Sequence, residues 1–142
     1  SEMCIRDSFG TPSINMVSGE FDDRRHEPRF ISKTINLTLE DYPWAESLEN
    51  YFGKQVIMGI RPENVQIRSA AVTDADGTGT VVSTVNLGDR NLVHVDIGQD
   101  KPLVAFAPHS VQPNAGSKIS IKVDKSSLIF FDPSDERRIA PT

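Results

Sequence analysis

Three consecutive residues combine a guanidinium, a ring-locked backbone and a carboxylate: Arg61, Pro62 and Glu63. They close an apolar run, Val56-Ile57-Met58-Gly59-Ile60, and stop it abruptly. Pro62 offers no ladder donor and drives Arg61 into an extended conformation. Arg61 and Glu63 are therefore held in fixed directions at the point where a strand ends. Such a pair either meets a ligand or partner, or locks the strand end by pairing with neighbouring charges. The residues alone leave both readings open.

The other chemistry-bearing residues form no constellation. His26, His94 and His109 share no metal-ligand spacing and read as solvated histidines. Asp74-x-Asp76-Gly77 begins like a calcium loop, but Val85 stands at the twelfth position, where a bidentate Glu is needed. That segment reads as a turn. Gly77-x-Gly79 has no third glycine, and no phosphate-cradling G-x-x-x-x-G-K-[ST] loop occurs. No serine lies in a G-x-S-x-G elbow. The carboxylates Asp22-Asp23 and Asp132, Asp135 and Glu136 lie in polar stretches, without the apolar surroundings that raise an acid's pKa. No catalytic, cofactor or metal residue is assigned on these grounds. Binding, assembly or regulation is what the residues support.

Composition narrows the class further. The chain has 142 residues, 25% charged and 37% hydrophobic, the balance of a globular domain. Its net charge of −5 opposes a surface built to neutralise phosphates, so no nucleic-acid partner is expected. No apolar stretch approaches the length of a membrane-spanning helix. The one cysteine, Cys4, cannot form an internal disulfide. It lies in Ser1-Glu2-Met3-Cys4-Ile5-Arg6-Asp7-Ser8, which resembles translated adapter sequence, so residues 1–8 are expected not to belong to the fold.

Positioning falls to short strands. Ile35, Leu37 and Leu39 alternate with Asn36 and Thr38. Val56–Ile60 reads as a buried strand, and Val65 and Ile67 suggest another beyond the Arg-Pro break. Thr80–Leu87, Leu92–Ile97, Leu103–Ala107, Lys118–Val123 and Leu128–Phe131 follow. Turns at Gly88-Asp89, Gly98-Gln99-Asp100 and Asn114-Ala115-Gly116 separate them. Phe9–Gly19 reads as irregular, and Asp41–Gly53 as a short helix or turn-rich link. The pattern predicts an all-β chain: a small closed barrel of about five strands with an additional N-terminal strand set and one short helix. The expected organisation is a junction at 9–20, a first strand group at 21–78, a second at 79–132 and a tail at 133–142.

Four stretches in order resemble one family. Gly59-Ile60-Arg61-Pro62-Glu63 is similar to the G-I-R-P-E motif of the C-terminal regulatory region of sugar-importing ABC transporter ATPases, the maltose and glycerol-3-phosphate type. Phe9-Gly10-Thr11-Pro12-Ser13-Ile14-Asn15-Met16 resembles that family's F-I-G-S-P-x-M-N-F segment. Val85-Asn86-Leu87-Gly88 resembles its E-x-L-G, and Gly116-Ser117-Lys118-Ile119 with Leu128-Ile129-Phe130-Phe131-Asp132 resembles the G-x-x-V and L-H-L-F-D close. There are departures. Asn64 stands where a histidine is common, Asn86 where a glutamate or glutamine is usual, and Asp89-Arg90-Asn91 follows in place of a small polar stretch expected to be loop.

The resemblance implies an OB-like or TOBE β-barrel that serves as the regulatory and dimerisation domain of an importer's ATP-binding subunit. It implies as partners a second copy, the subunit's own nucleotide-binding domain, the membrane subunits and a regulatory protein or small effector. It also implies a place on the cytoplasmic face of the plasma membrane. ATP and Mg would belong to the nucleotide-binding domain, with no cofactor and no catalysis here. Gly59, Arg61, Pro62, Glu63, Asn86, Leu87 and Gly88 carry over as motif positions. Phe130, Phe131 and Asp132, together with residues around Gly88, are expected near the interface. The alternative is a small-molecule or oxyanion-binding module of the molybdate kind.

Overall fold

The computed structural model describes residues 14–22, 28–39, 51, 53–69, 75–134 and 139. Ten strands run through them: β1 Asn15–Asp22, β2 Arg29–Ile31, β3 Asn36–Thr38, β4 Gln55–Ile60, β5 Val65–Ser69, β6 Gly77–Asn86, β7 Arg90–Asp96, β8 Leu103–Pro108, β9 Lys118–Val123 and β10 Ile129–Phe131. Two 3-10 turns, Pro62–Asn64 and Lys125–Ser127, complete the described elements. The all-β class holds. The helix expected within Asp41–Gly53 lies almost wholly outside the described residues.

The strands form two five-stranded sheets, in the orders β10-β4-β1-β2-β3 and β5-β9-β6-β7-β8. Every ladder is antiparallel. In the second sheet β5 returns alongside β8, which brings the sheet close to a closed barrel. The division does not follow the expected strand groups. The chain passes from the first sheet to the second at Arg61–Asn64, and β10 then returns to the first sheet beside β4.

Residues 15–22 form a strand where irregular chain was expected. Asn15, Val17, Gly19 and Phe21 are buried and alternate with more exposed neighbours, the period of a half-buried strand. Gly77 and Gly79, read as turn, are strand residues as well. A Cβ at Gly79 would collide with Val95 Cγ1 and stand 3.0 Å from the Asp96 carbonyl. Glycine is required there because neighbouring backbone comes so close.

Val93, Val95 and Ile97, and Ile119, Ile121 and Val123, face inward as their alternation requires. Ser120 is buried too, although it sits on the polar phase of β9. Phe21, Phe30 and Phe130 form the aromatic centre of the first sheet. Their ring centroids lie 4.9–6.3 Å apart in edge-on or tilted contacts. Residue 139, expected in a polar tail, packs on the core, and its N–H donates to the Phe130 carbonyl at 2.7 Å.

Candidate functional site

The G-I-R-P-E residues make the corner between the sheets. Gly59 is buried in β4, paired with Met16 of β1 and Ile129 of β10. A Cβ there would stand 2.9 Å from Ile14 Cδ1 and 2.9 Å from a Phe131 ring carbon, so this glycine exists to let those side chains close over the strand. Arg61 is extended (φ −75°, ψ 148°), as the residue before a proline must be. Pro62 is buried and opens the 3-10 turn. The Asn64 N–H donates to the Arg61 carbonyl at 3.0 Å, and the Asn64 carbonyl accepts from Asp124 N–H at 3.0 Å.

Arg61 and Glu63 are exposed, and among the described residues neither side chain makes an ion pair or hydrogen bond. Locking of the strand end by a charge pair is therefore not what the described residues display. Glu63 and Asn64 border a hollow of about 390 Å³ with Arg68, Lys122 and Asp124, a mixed-charge lining.

The second motif forms a hairpin tip. Leu87 N–H donates to the Arg90 carbonyl at 2.9 Å, leaving Gly88 and Asp89 as the turn. Gly88 has φ +97°, a conformation that asks for glycine at the first central position of a hairpin turn. Asn86 Oδ1 accepts from Gly88 N–H at 2.7 Å and stiffens the turn. Leu87 is 47% exposed, Val85 43% and the bulge residue Val82 52%.

In register with Val85 lie Leu92 of β7 and Phe106 of β8. The Arg90 guanidinium sits 3.8 Å above the Phe106 ring, a cation–π contact. The barrel thus turns outward an apolar row, Val85-Leu92-Phe106, edged by Leu87 and Arg90. Arg90 and Asn91, expected in loop, belong to β7.

The third group is mostly core. Phe130 and Phe131 are 0% and 1% exposed, on opposite faces of β10: one in the aromatic trio, the other against Gly59. They do not present a surface, because each face of β10 is covered. Asp132 is half-buried. Its Oδ1 accepts from the Ser134 hydroxyl at 2.7 Å and the Ser134 N–H at 2.9 Å, and its Oδ2 from the Tyr51 hydroxyl at 3.1 Å. These bonds, the Ser134 hydroxyl foremost, hold its carboxyl below the usual range. Asp124 is lowered in the same way, first by the Ser126 hydroxyl at 2.7 Å.

Three polar residues fasten the fold: Asn15, expected in irregular chain, Asp76, expected in a turn, and Asn91, expected in loop. The Asn15 carboxamide donates to the Val104 carbonyl at 2.7 Å and accepts from Val104 N–H at 2.8 Å, so one side chain bonds β8 as a neighbouring strand would. Asp76, buried, accepts from Val123 N–H through Oδ2 at 2.9 Å, and its carbonyl accepts from Asn36 N–H at 2.9 Å. Asn91, fully buried, donates through Nδ2 to the carbonyls of Val111 (2.8 Å) and His109 (3.2 Å), while its Oδ1 has no partner among the described residues. An orphaned buried acceptor costs about 1–3 kcal/mol. Polar residues in strand-like stretches were the available signal.

Among the described residues no group of three His, Cys, Asp or Glu could hold a metal. His94 Nδ1 lies 3.4 Å from the Ser83 hydroxyl, and His94 is half-buried rather than solvated. No described helix is long and apolar enough to cross a membrane.

The model of the TOBE domain matches residues 58–131, and that of the MalK OB fold domain residues 10–65. The chain belongs to the TOBE domain family. The two matches overlap at 58–65, where this TOBE chain turns from one sheet into the other. Among curated relatives, the sn-glycerol-3-phosphate import ATP-binding protein UgpC of Escherichia coli O1:K1 is 27% identical over 140 residues. That alignment covers 98% of this chain and 36% of the relative. The uncharacterized ABC transporter ATP-binding protein YurJ of Bacillus subtilis strain 168 is 27% identical over 134 residues, covering 92% and 36%.

The TOBE chain thus spans about a third of the length of these relatives, 36%, and corresponds to their C-terminal part rather than to the ATPase domain. Among solved structures, the cytoplasmic molybdate-binding protein ModG in its molybdate-bound form superposes with a TM-score of 0.59 at 17% identity. It covers 84% of this chain and 96% of that one. The likeness is one of fold.

Proposed function

We propose that the chain is the regulatory and self-associating domain of the ATP-binding subunit of an ABC importer for sugars, polyols or glycerol phosphate. The observation that carries this reading is the pair of domain matches spanning 10–131, joined to relatives named as import ATP-binding proteins. In the intact subunit the domain works beside the nucleotide-binding domain, where ATP and Mg act, and needs no cofactor of its own. Its partners are that domain, a second copy of itself, the membrane subunits and a regulatory protein or effector. It lies on the cytoplasmic face of the plasma membrane.

The outward row Val85-Leu92-Phe106, with Leu87 at its edge, suits a two-fold contact in which the same patch serves both copies. Light scattering on the chain tests it. A concentration-dependent dimer that Leu87→Asp abolishes is the expected result; a strict monomer at every concentration removes the self-association half of the reading. The oxyanion alternative has only the fold likeness behind it. Calorimetric titration with molybdate that yields saturable heat would restore it.

A further inference from the structure

Three rows of inward-facing residues can be followed across β6, β7 and β8. Val81, Val95 and Leu103 lie in register, and all three are core. Thr84, Val93 and Ala105 form the next row. The last, at the hairpin end, is Asn86, Asn91 and Ala107. The inner stripe of the barrel therefore turns from apolar to amide-bearing toward this mouth, where core packing alone would favour apolar side chains.

The β8–β9 loop folds over the mouth, fastened by Asn91 and by the Thr84 hydroxyl, which donates to the Pro113 carbonyl at 2.8 Å. Between loop and strands lies a hollow of about 310 Å³. Thr84, Asn86, Asn91, Gln112 and Asn114 line it, and no ionisable group does. Three other hollows among the described residues are charged: Lys33, Asp100 and Lys101 line one, Glu63, Arg68, Lys122 and Asp124 a second, Asp96 and Lys118 a third.

We infer that this barrel mouth is a binding site for a neutral polyhydroxylated ligand, a polyol or small saccharide. Carboxamides offer donors and acceptors side by side, the complement of a hydroxyl that does both. The Asn114 amide makes no hydrogen bond to another described residue, and Gln112 uses only its Nε2, toward the His109 carbonyl. Asn91 lines the hollow as well, with its Nδ2 already committed to the loop carbonyls of His109 and Val111. An anion would require a cation or a nest of N–H groups, and an apolar ligand an apolar wall. Barrel mouths are favoured places for small-molecule sites, and the volume falls at the lower end of their usual range. The inference goes beyond the proposed function and survives if the chain fails to self-associate.

The test is an NMR titration of the 15N-labelled chain with glycerol, D-glucose and maltose, beside glycerol 3-phosphate and molybdate. At least one neutral polyol should shift the side-chain amides of Asn86, Gln112 and Asn114 saturably, with an affinity insensitive to added salt. Asn114→Ala, an exposed loop change, should weaken that affinity by about tenfold. The inference is overturned if none of the three neutral compounds moves these amides saturably. It is also overturned if the Asn86 side-chain amide still shifts with unchanged affinity in the Gln112→Ala/Asn114→Ala double variant, or if only the anions bind there.

Discussion

Gly59 and Gly79 are glycines of contact, not of conformation, and that distinction decides what replacing them does. A methyl at Gly79 meets Val95 and the Asp96 carbonyl, and one at Gly59 meets Ile14 and Phe131. Either Gly→Ala change overpacks a buried site and should cost about 1–3 kcal/mol in urea denaturation. Gly79→Ala should be the worse, because backbone yields less than a side-chain tip. The two lowered carboxyls give a pH signature. Asp124 and Asp132 sit below the usual range when folded and return to it on unfolding. They therefore favour the fold above about pH 4, and that contribution is lost as the pH falls through their lowered folded values. Denaturant midpoints followed through this window should drop less steeply in the Asp124→Asn/Asp132→Asn double variant than in the parent. The abrupt halt of the Val56–Ile60 run at Pro62 was legible, since proline chemistry is local. The burial of Phe130 and Phe131 was not: an apolar pair reads the same whether a second molecule or the chain's own β4 covers it.

At the level of elements, strands with regular alternation were readable and strands with unusual occupants were not. β7 and β9 carry valine and isoleucine on one phase, and their positions were placed within a residue or two. β1 was missed because Asn15 and Gly19 occupy two of its four inward positions. Those same residues do its work. Gly19 lets the Phe30 ring lie against the strand, and Asn15 bonds both backbone groups of Val104 across the gap between sheets. Asn15→Ala leaves an N–H and a carbonyl of β8 without a partner. It should cost about 1–3 kcal/mol and speed amide hydrogen exchange at Val104 selectively. Asn15→Asp keeps the acceptor and loses the donor, so the Val104 amide should retain more of its protection than in the alanine variant. Asp76 was read as part of a turn, which its neighbours suggested. Its burial follows from β3, β6 and β9 meeting there, a long-range convergence that no local window contains.

For the whole molecule, the family was legible from four motifs in order and the all-β architecture from the spacing of short alternating strands, while the partition into sheets was not. The corner at Arg61–Asn64 was expected only as the end of a strand; it is the passage between two sheets, and both domain matches run through it. The apolar row beside the hairpin is the surface on which assembly should depend. Leu87→Asp should change folding stability by no more than about 0.5 kcal/mol, since Leu87 is largely exposed, while shifting the sedimentation of the chain to that of a monomer. The return of β10 to the first sheet has a consequence for synthesis. The second sheet is contiguous from Val65 to Val123 and can close as soon as that stretch leaves the ribosome. The first sheet begins earlier in the chain yet waits for Ile129–Phe131 to cover the edge of β4. In the interval β4 is an open template for strands of neighbouring nascent chains. The order of emergence is thus the reverse of the order of completion, and a chain ended between Val123 and Phe131 should aggregate more on expression than the full chain.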